Sequence, residues 1–174
     1  MEFILRPWRR EDVPDYQKIM DNERVSAYLT DGVPYPFPLE KAERYIEGAL
    51  SAAPDQQYHR AIEVEGKLAG GTVVRRQADI TAGTGVIGYS IGEAYWGGGL
   101  ATRVVAQVCG EAFAQLDIRR IQATVFSPNQ ASCRVLEKNG FTLEVATESS
   151  VVKRGVVMGE RIYGLLKEEY HEPT

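Results

Sequence analysis

From Gly99 to Leu116 apolar residues return at every fourth position: Leu100, Val104, Val108, Ala112 and Leu116, with Val105, Cys109 and Phe113 beside them. That spacing predicts one amphipathic helix. Ahead of it, Phe3–Leu5 reads as a short strand. Asp12 offers an N-cap, Pro14 suits a first turn, and Tyr16, Ile19 and Met20 share one helical face. A second short helix is predicted over Glu23–Leu29, and helical spacing resumes over Leu39–Leu50. Tyr58–Val64 and Leu68–Arg75 flank Glu65-Gly66-Lys67 and predict a hairpin, with Gly85–Gly92 as a third strand. Beyond the long helix, Arg120–Phe126 reads as a strand and Asn129–Asn139 as a short helix closed by Gly140 at C′. Leu143–Glu148 and Gly159–Lys167 make the last two strands. The predicted order is β-α-α-β-β-β-α-β-α-β-β, a mixed α/β sheet in one domain over residues 1–174.

One stretch fits no regular element. In Thr30-Asp31-Gly32-Val33-Pro34-Tyr35-Pro36-Phe37-Pro38 the alternating prolines remove donors and restrict their neighbours. Its aromatic residues avoid water only by lining something.

Composition narrows the function without naming it. The chain has 174 residues, 44% hydrophobic and 25% charged, which excludes a disordered or fibrous protein. A net charge of -4 argues against nucleic acid or an anionic membrane as the main partner. The opening apolar run is too short for a secretory signal. Charges or glycines interrupt every later one before the roughly 18 residues a membrane helix needs. Two cysteines, Cys109 and Cys133, and two histidines, His59 and His171, supply neither a disulfide framework nor a metal site. A reducing, cytoplasmic setting is the expectation.

Two glycine clusters compete for a ligand. Gly83-Thr84-Gly85-Val86-Ile87-Gly88 has the G-x-G-x-x-G dinucleotide spacing, but it runs into the strand Tyr89-Ser90-Ile91 instead of opening a helix, and reads as a hairpin turn. Trp96-Gly97-Gly98-Gly99-Leu100-Ala101-Thr102 does sit between a strand and the long helix. There, successive backbone N–H groups and the helix dipole can converge on an anion. No Lys follows in the G-K-[ST] position, so a diphosphate held by backbone amides fits better than a nucleoside triphosphate.

Ile91–Thr102 resembles the acetyl-CoA motif of the GNAT-superfamily N-acetyltransferases. Ser127-Pro128-Asn129-Gln130-Ala131-Ser132 with Val135–Phe141 is similar to the second motif of that family. Leu5-Arg6-Pro7-Trp8 with Asp12, Tyr28-Leu29 and Pro34–Phe37 resemble the branch that acetylates N-terminal amines of ribosomal proteins.

The resemblance implies a single-domain GNAT fold with a mixed, mostly antiparallel sheet, and acetyl transfer from acetyl-CoA to an amine by direct attack in a ternary complex. It assigns the pyrophosphate to the amides of Gly97, Gly98, Gly99, Ala101 and Thr102. The pantetheine arm would run beside Tyr89–Ile91 like an extra strand, with a bulge at Ile91 presenting an N–H to the thioester carbonyl. Trp96 stands where the motif usually has Arg or Gln, and Leu136 where many members carry a tyrosine acid. Asn129 resembles the pantetheine ligand and Ser132 the acid, although an N-cap and a first-turn serine account for the same residues. Glu93 is a candidate base, or an exposed loop carboxylate. Tyr35 and Phe37 would line the acceptor pocket.

The acceptor expected is a peptide N-terminus, with a polyamine or antibiotic amine as the alternative. A non-catalytic acyl-CoA binder and a nucleotide oxidoreductase remain as other classes. An exposed strand edge near the C-terminus would let two copies pair.

Overall fold

In the computed structural model, which describes residues 2–171, one seven-stranded sheet separates two helical layers. Its strands are β1 (Ile4–Arg6), β2 (Gln57–Val64), β3 (Lys67–Arg76), β4 (Thr84–Ile91), β5 (Arg120–Phe126), β6 (Thr142–Ala146) and β9 (Glu160–Leu166), in spatial order β1-β2-β3-β4-β5-β9-β6. Every pairing is antiparallel except β4 with β5. Two short strands, β7 (Val151–Lys153) and β8 (Val156–Met158), form a separate hairpin. Among the described residues no helix is long and apolar enough to cross a membrane.

Helices α1 (Val13–Met20), α2 (Glu23–Ser26) and α3 (Leu39–Ser51) precede β2 at the three stretches with helical spacing, where the condensed order counts only two. Helix α2 is also shorter than Glu23–Leu29. Helices α4 (Leu100–Gln115) and α5 (Gln130–Lys138) follow β4 and β5. The fourfold repeat of α4 is real: Leu100, Val104, Val108 and Ala112 are almost wholly buried against the sheet. They join Ile87, Ile91, Ile121, Leu136 and Leu165 in a mostly aliphatic core.

The opposite face is covered by α1 and α3 over an aromatic cluster. Tyr16 stacks on Tyr45 at 4.9 Å between ring centroids and meets Trp8 edge-on at 5.0 Å. These geometries add to the gain from burial.

Several local expectations need correction. Asp12 does not cap α1. Its carboxylate accepts from Arg6 at 2.7 and 2.8 Å and from the Arg9 amide at 2.8 Å, so both oxygens are turned to the buried guanidinium and away from the helix end. The Gly83–Gly88 segment is no hairpin turn; Thr84 onward is strand, and Gly85 lies so close to Val74 and Ile118 that a Cβ there would sit 2.7 Å from one and 2.9 Å from the other. The irregularity expected at Ile91 falls instead on β3. There Glu63 pairs with Leu68 and Ile62 with Gly70, skipping Ala69, while β4 keeps register with β3 through Ile91. The turn Glu65-Gly66 has positive φ at both residues, as a two-residue hairpin requires.

Candidate active site

The site begins with a pairing that stops. β4 and β5 run side by side only at Thr84–Arg120, Gly85–Ile121 and Val86–Gln122. β4 then continues along β3 as far as Ile91, and β5 along β9 as far as Phe126, with no bridge between them. A crevice therefore opens inside the sheet, one lip β4 and the other β5. Backbone groups on the inner edges of these lips have lost their sheet partners, and a strand-like ligand can satisfy them.

At the wide end of the crevice β4 passes through a 3₁₀ turn, Glu93–Tyr95, into the glycine loop and α4. Gly97 and Gly99 have φ of +81° and +72°, which L side chains rarely adopt, and a Cβ built on Gly97, Gly98 or Gly99 would meet no atom within 4 Å. The loop thus presents bare backbone to open space at a helix N-terminus, where Ala101 and Thr102 follow Leu100 in the first turn. That is the donor set a pyrophosphate needs, without any lysine. Beyond it, a groove of about 650 Å³ runs past Thr102, Arg103, Lys138 and Asn139. Trp96 does not reach this groove. Its indole Nε1 donates to the Ile91 carbonyl at 2.7 Å, and the Arg24 guanidinium lies 5.6 Å from its ring centroid.

On the other lip, Asn129 caps α5. Its side-chain oxygen accepts from the Ser132 amide at 3.2 Å, leaving the side-chain NH₂ for a ligand. Ser132, in the first turn, lies 2.6 Å from the hydroxyl of Tyr89 on β4. The sequence reading missed this pair. Tyr89 entered it only as a strand residue beside the pantetheine, and 43 positions separate the partners. Burial, first of all, pushes the Tyr89 phenol up to about 12. Cys133, next to Ser132, is buried in the core, close to Tyr89 and Tyr163.

Glu93 is held where a free base would need to be loose. Its carboxylate accepts from Asn22 Nδ2 at 2.8 Å and pairs with Arg24. These contacts fix one end of segment 22–30. At the other end Lys153 Nζ donates to the Leu29 carbonyl, and midway Arg154 donates to Ser26 Oγ at 3.0 Å. Glu93 follows β4, and the β7–β8 hairpin precedes β9 opposite the end of β5. The segment is therefore an arch across the wide end of the crevice.

Phe37 is not a pocket wall. It is 4% exposed, meets Tyr16 edge-on, and its backbone is fixed by Asp21 and Gln17, so the proline-rich loop uses it as an anchor. Tyr35, 45% exposed, keeps its ring outward.

Known proteins share this arrangement. The model of the Acetyltransferase (GNAT) domain matches residues 2–142. A probable N-acetyltransferase of Bacillus subtilis, YjcK, is 32% identical over 132 residues, covering 76% of this chain and 67% of that protein. An uncharacterized N-acetyltransferase of the same organism, YoaA, is 35% identical over 81 residues, and the match spans about half of each protein, 47% of this chain and 46% of YoaA. Among solved structures, RimL, a ribosomal L7/L12 α-N-protein acetyltransferase in complex with coenzyme A, superposes with a TM-score of 0.82 at 21% identity, covering 94% and 93% of the two chains. The spermidine N-acetyltransferase of Vibrio cholerae, in complex with CoA and spermine, gives a TM-score of 0.82 at 16% identity over 97% of both chains. Matched by the family model over most of its length, and carrying the interrupted sheet, bare glycine loop and capped α5 described above, the chain belongs to the GNAT acetyltransferase family.

Proposed function

We propose that the protein is an acetyl-CoA-dependent N-acetyltransferase whose acceptor is a protein or peptide N-terminal amine. The observation that carries this reading is the crevice between β4 and β5, with the Gly97–Gly99 loop at its wide end. A pantetheine arm lies along Tyr89–Ile91 as the missing strand, the amides of Gly97, Gly98, Gly99, Ala101 and Thr102 take the pyrophosphate, and Asn129 holds the arm from the other lip. The groove flanked by Arg103 and Lys138 suits the phosphate-bearing nucleotide end. The structural neighbours act on different amines, so the preference for a chain end rests on the arch. Segment 22–30, pinned to Glu93 and to the hairpin, roofs the approach and favours an acceptor that is slender at its reactive end. Tyr35 borders that approach.

Direct attack on the thioester needs an uncharged amine, a polarised carbonyl and a proton for the leaving sulfur. An α-amine, with a pKa of about 8, loses its proton more readily than a lysine at about 10.4. It needs no strong base. Glu93, already accepting from Asn22 and Arg24, serves the arch first and any proton transfer second. Ser132 is the acid.

The test is a thiol-release assay with acetyl-CoA against an alanine-initiated peptide, spermidine and an aminoglycoside side by side. The peptide is expected to turn over fastest; a preference for spermidine or the antibiotic overturns the acceptor, and coenzyme A binding with no turnover of any amine overturns the activity. With the best amine, Ser132→Ala should lower kcat/KM by more than tenfold, or about 1.4 kcal/mol, and Glu93→Gln by less than tenfold. The reverse order makes Glu93 the chemical residue.

A further inference from the structure

A side-chain hydrogen bond crosses the open half of the crevice. Tyr89 leaves the unpaired half of β4 on the same face as Ile87 and Ile91, toward α4 and α5. Ser132 stands on the helix that continues from β5. Their hydroxyls meet at 2.6 Å, so the contact joins the two lips.

Which hydroxyl donates is decided by accounting. The Tyr89 ring is packed, partly buried, against the aliphatic core, where a phenol left with its proton unshared gives up a hydrogen bond. Among the described residues Ser132 Oγ is the hydrogen-bond partner of that phenol. A phenol is more acidic than an aliphatic hydroxyl and the better donor of the two, so Tyr89 donates across this contact, and burial keeps its proton in place. The main chain of Ser132 is fixed as well, through its amide on Asn129 Oδ1. Oγ then receives one hydrogen bond and keeps a single proton of its own to aim.

We propose that Tyr89 is a positioning residue for acetyl transfer: by donating to Ser132 Oγ it turns the Ser132 proton toward the leaving sulfur and stabilises negative charge on Oγ as that proton departs. The proposal rests on Ser132 being the acid assigned above. When the carbon–sulfur bond breaks, its electron pair goes to sulfur. Ser132 Oγ–H gives its proton to sulfur, and Oγ recovers one from the nitrogen that attacked. The products are the amide and the free thiol. Tyr89 keeps its proton throughout.

The experiment compares Tyr89→Phe, Ser132→Ala and the double variant, with acetyl-CoA and the amine that wild type uses best. Coenzyme A binding by calorimetry and thermal melting serve as controls for folding. Tyr89→Phe is expected to lower kcat at least tenfold with KM for acetyl-CoA within twofold, and the double variant to be no slower than Ser132→Ala alone. Ser132→Thr, which keeps a hydroxyl, should recover part of the Ser132→Ala loss when Tyr89 is present and none in the Tyr89→Phe background. A Tyr89→Phe rate within twofold of wild type, or a double variant slower by the product of the two single losses, overturns the proposal and leaves Ser132 as the acid. A Ser132→Ala rate within tenfold of wild type removes the acid itself, a different failure. Should Tyr89→Phe unfold, the serine-to-threonine comparison is made with Tyr89→His; equal recovery in that background also overturns it.

Discussion

The two halves of β4 are built from similar residues and have opposite fates. Over Thr84–Val86 the strand is paired on both edges; over Ile87–Ile91 it is paired on one. In the first half Gly85 is squeezed between Val74 and Ile118, and Ile121 across the pairing is wholly buried. In the second half Gly88 is exposed and Ser90 partly so. The closed half fixes the register of the two lips, and the open half uses that register to hold Tyr89 opposite Ser132. The site is made by withholding hydrogen bonds from a sheet that is complete on either side.

That contrast can be broken by experiment. The largest effect is expected at the closed end: Ile121→Ala should cost about 2–5 kcal/mol in chemical denaturation, since it empties a site with no exposed surface. A loss below about 1 kcal/mol would mean that the closed half does not anchor the lips. Next comes a matched pair. Gly85→Ala places a Cβ in contact far too close to Val74 and Ile118 and should cost about 1–3 kcal/mol. Gly88→Ala places one 3.7 Å from Val73, an ordinary contact, and should stay within about 0.5 kcal/mol. Equal melting points for the two variants would erase the distinction between the halves.

The smallest effect concerns the layer behind the open half. His59 lies across Val73 from Gly88. Burial, and then the charge of Arg75, push its pKa down from an ordinary 6.5 to about 4. Between those values the unfolded chain binds a proton that the folded chain refuses. The stability contributed by the neutral ring is whole above 6.5, falls as the pH drops toward 4, and falls no further below. The melting temperature of His59→Gln should therefore depend less steeply on pH across that window; an unchanged slope would show that His59 titrates normally.

Much of this was readable from the chain. Leu100, Val104, Val108 and Ala112 announce α4 because one helix face meets one sheet, and Asn129 announces a cap because capping is local. The glycine loop could be found because positive φ at Gly97 and Gly99 demands glycine. What stayed hidden depends on distant partners. Asp12 looks like a cap until Arg6 claims it; Phe37 looks like a pocket wall until Tyr16 and Asp21 draw it inward. Tyr89 and Ser132 carry no mutual signal, since only the divergence of two strands makes them neighbours. Glu93 reads as a loop carboxylate because Asn22 and Arg24 lie about 70 positions away.

The crevice also bears on how the protein keeps to itself. A strand with unsatisfied backbone groups at the rim of a sheet is a template for foreign chains and a seed for aggregation. β4 carries the same unsatisfied groups in the middle of its sheet, with β5 facing it and the arch over its wide end. An approaching strand from another molecule has no lateral path to it. What can enter is a ligand about one chain thick. The fold thereby keeps the adhesiveness of a bare strand and reserves it, by thickness alone, for the arm it is built to hold.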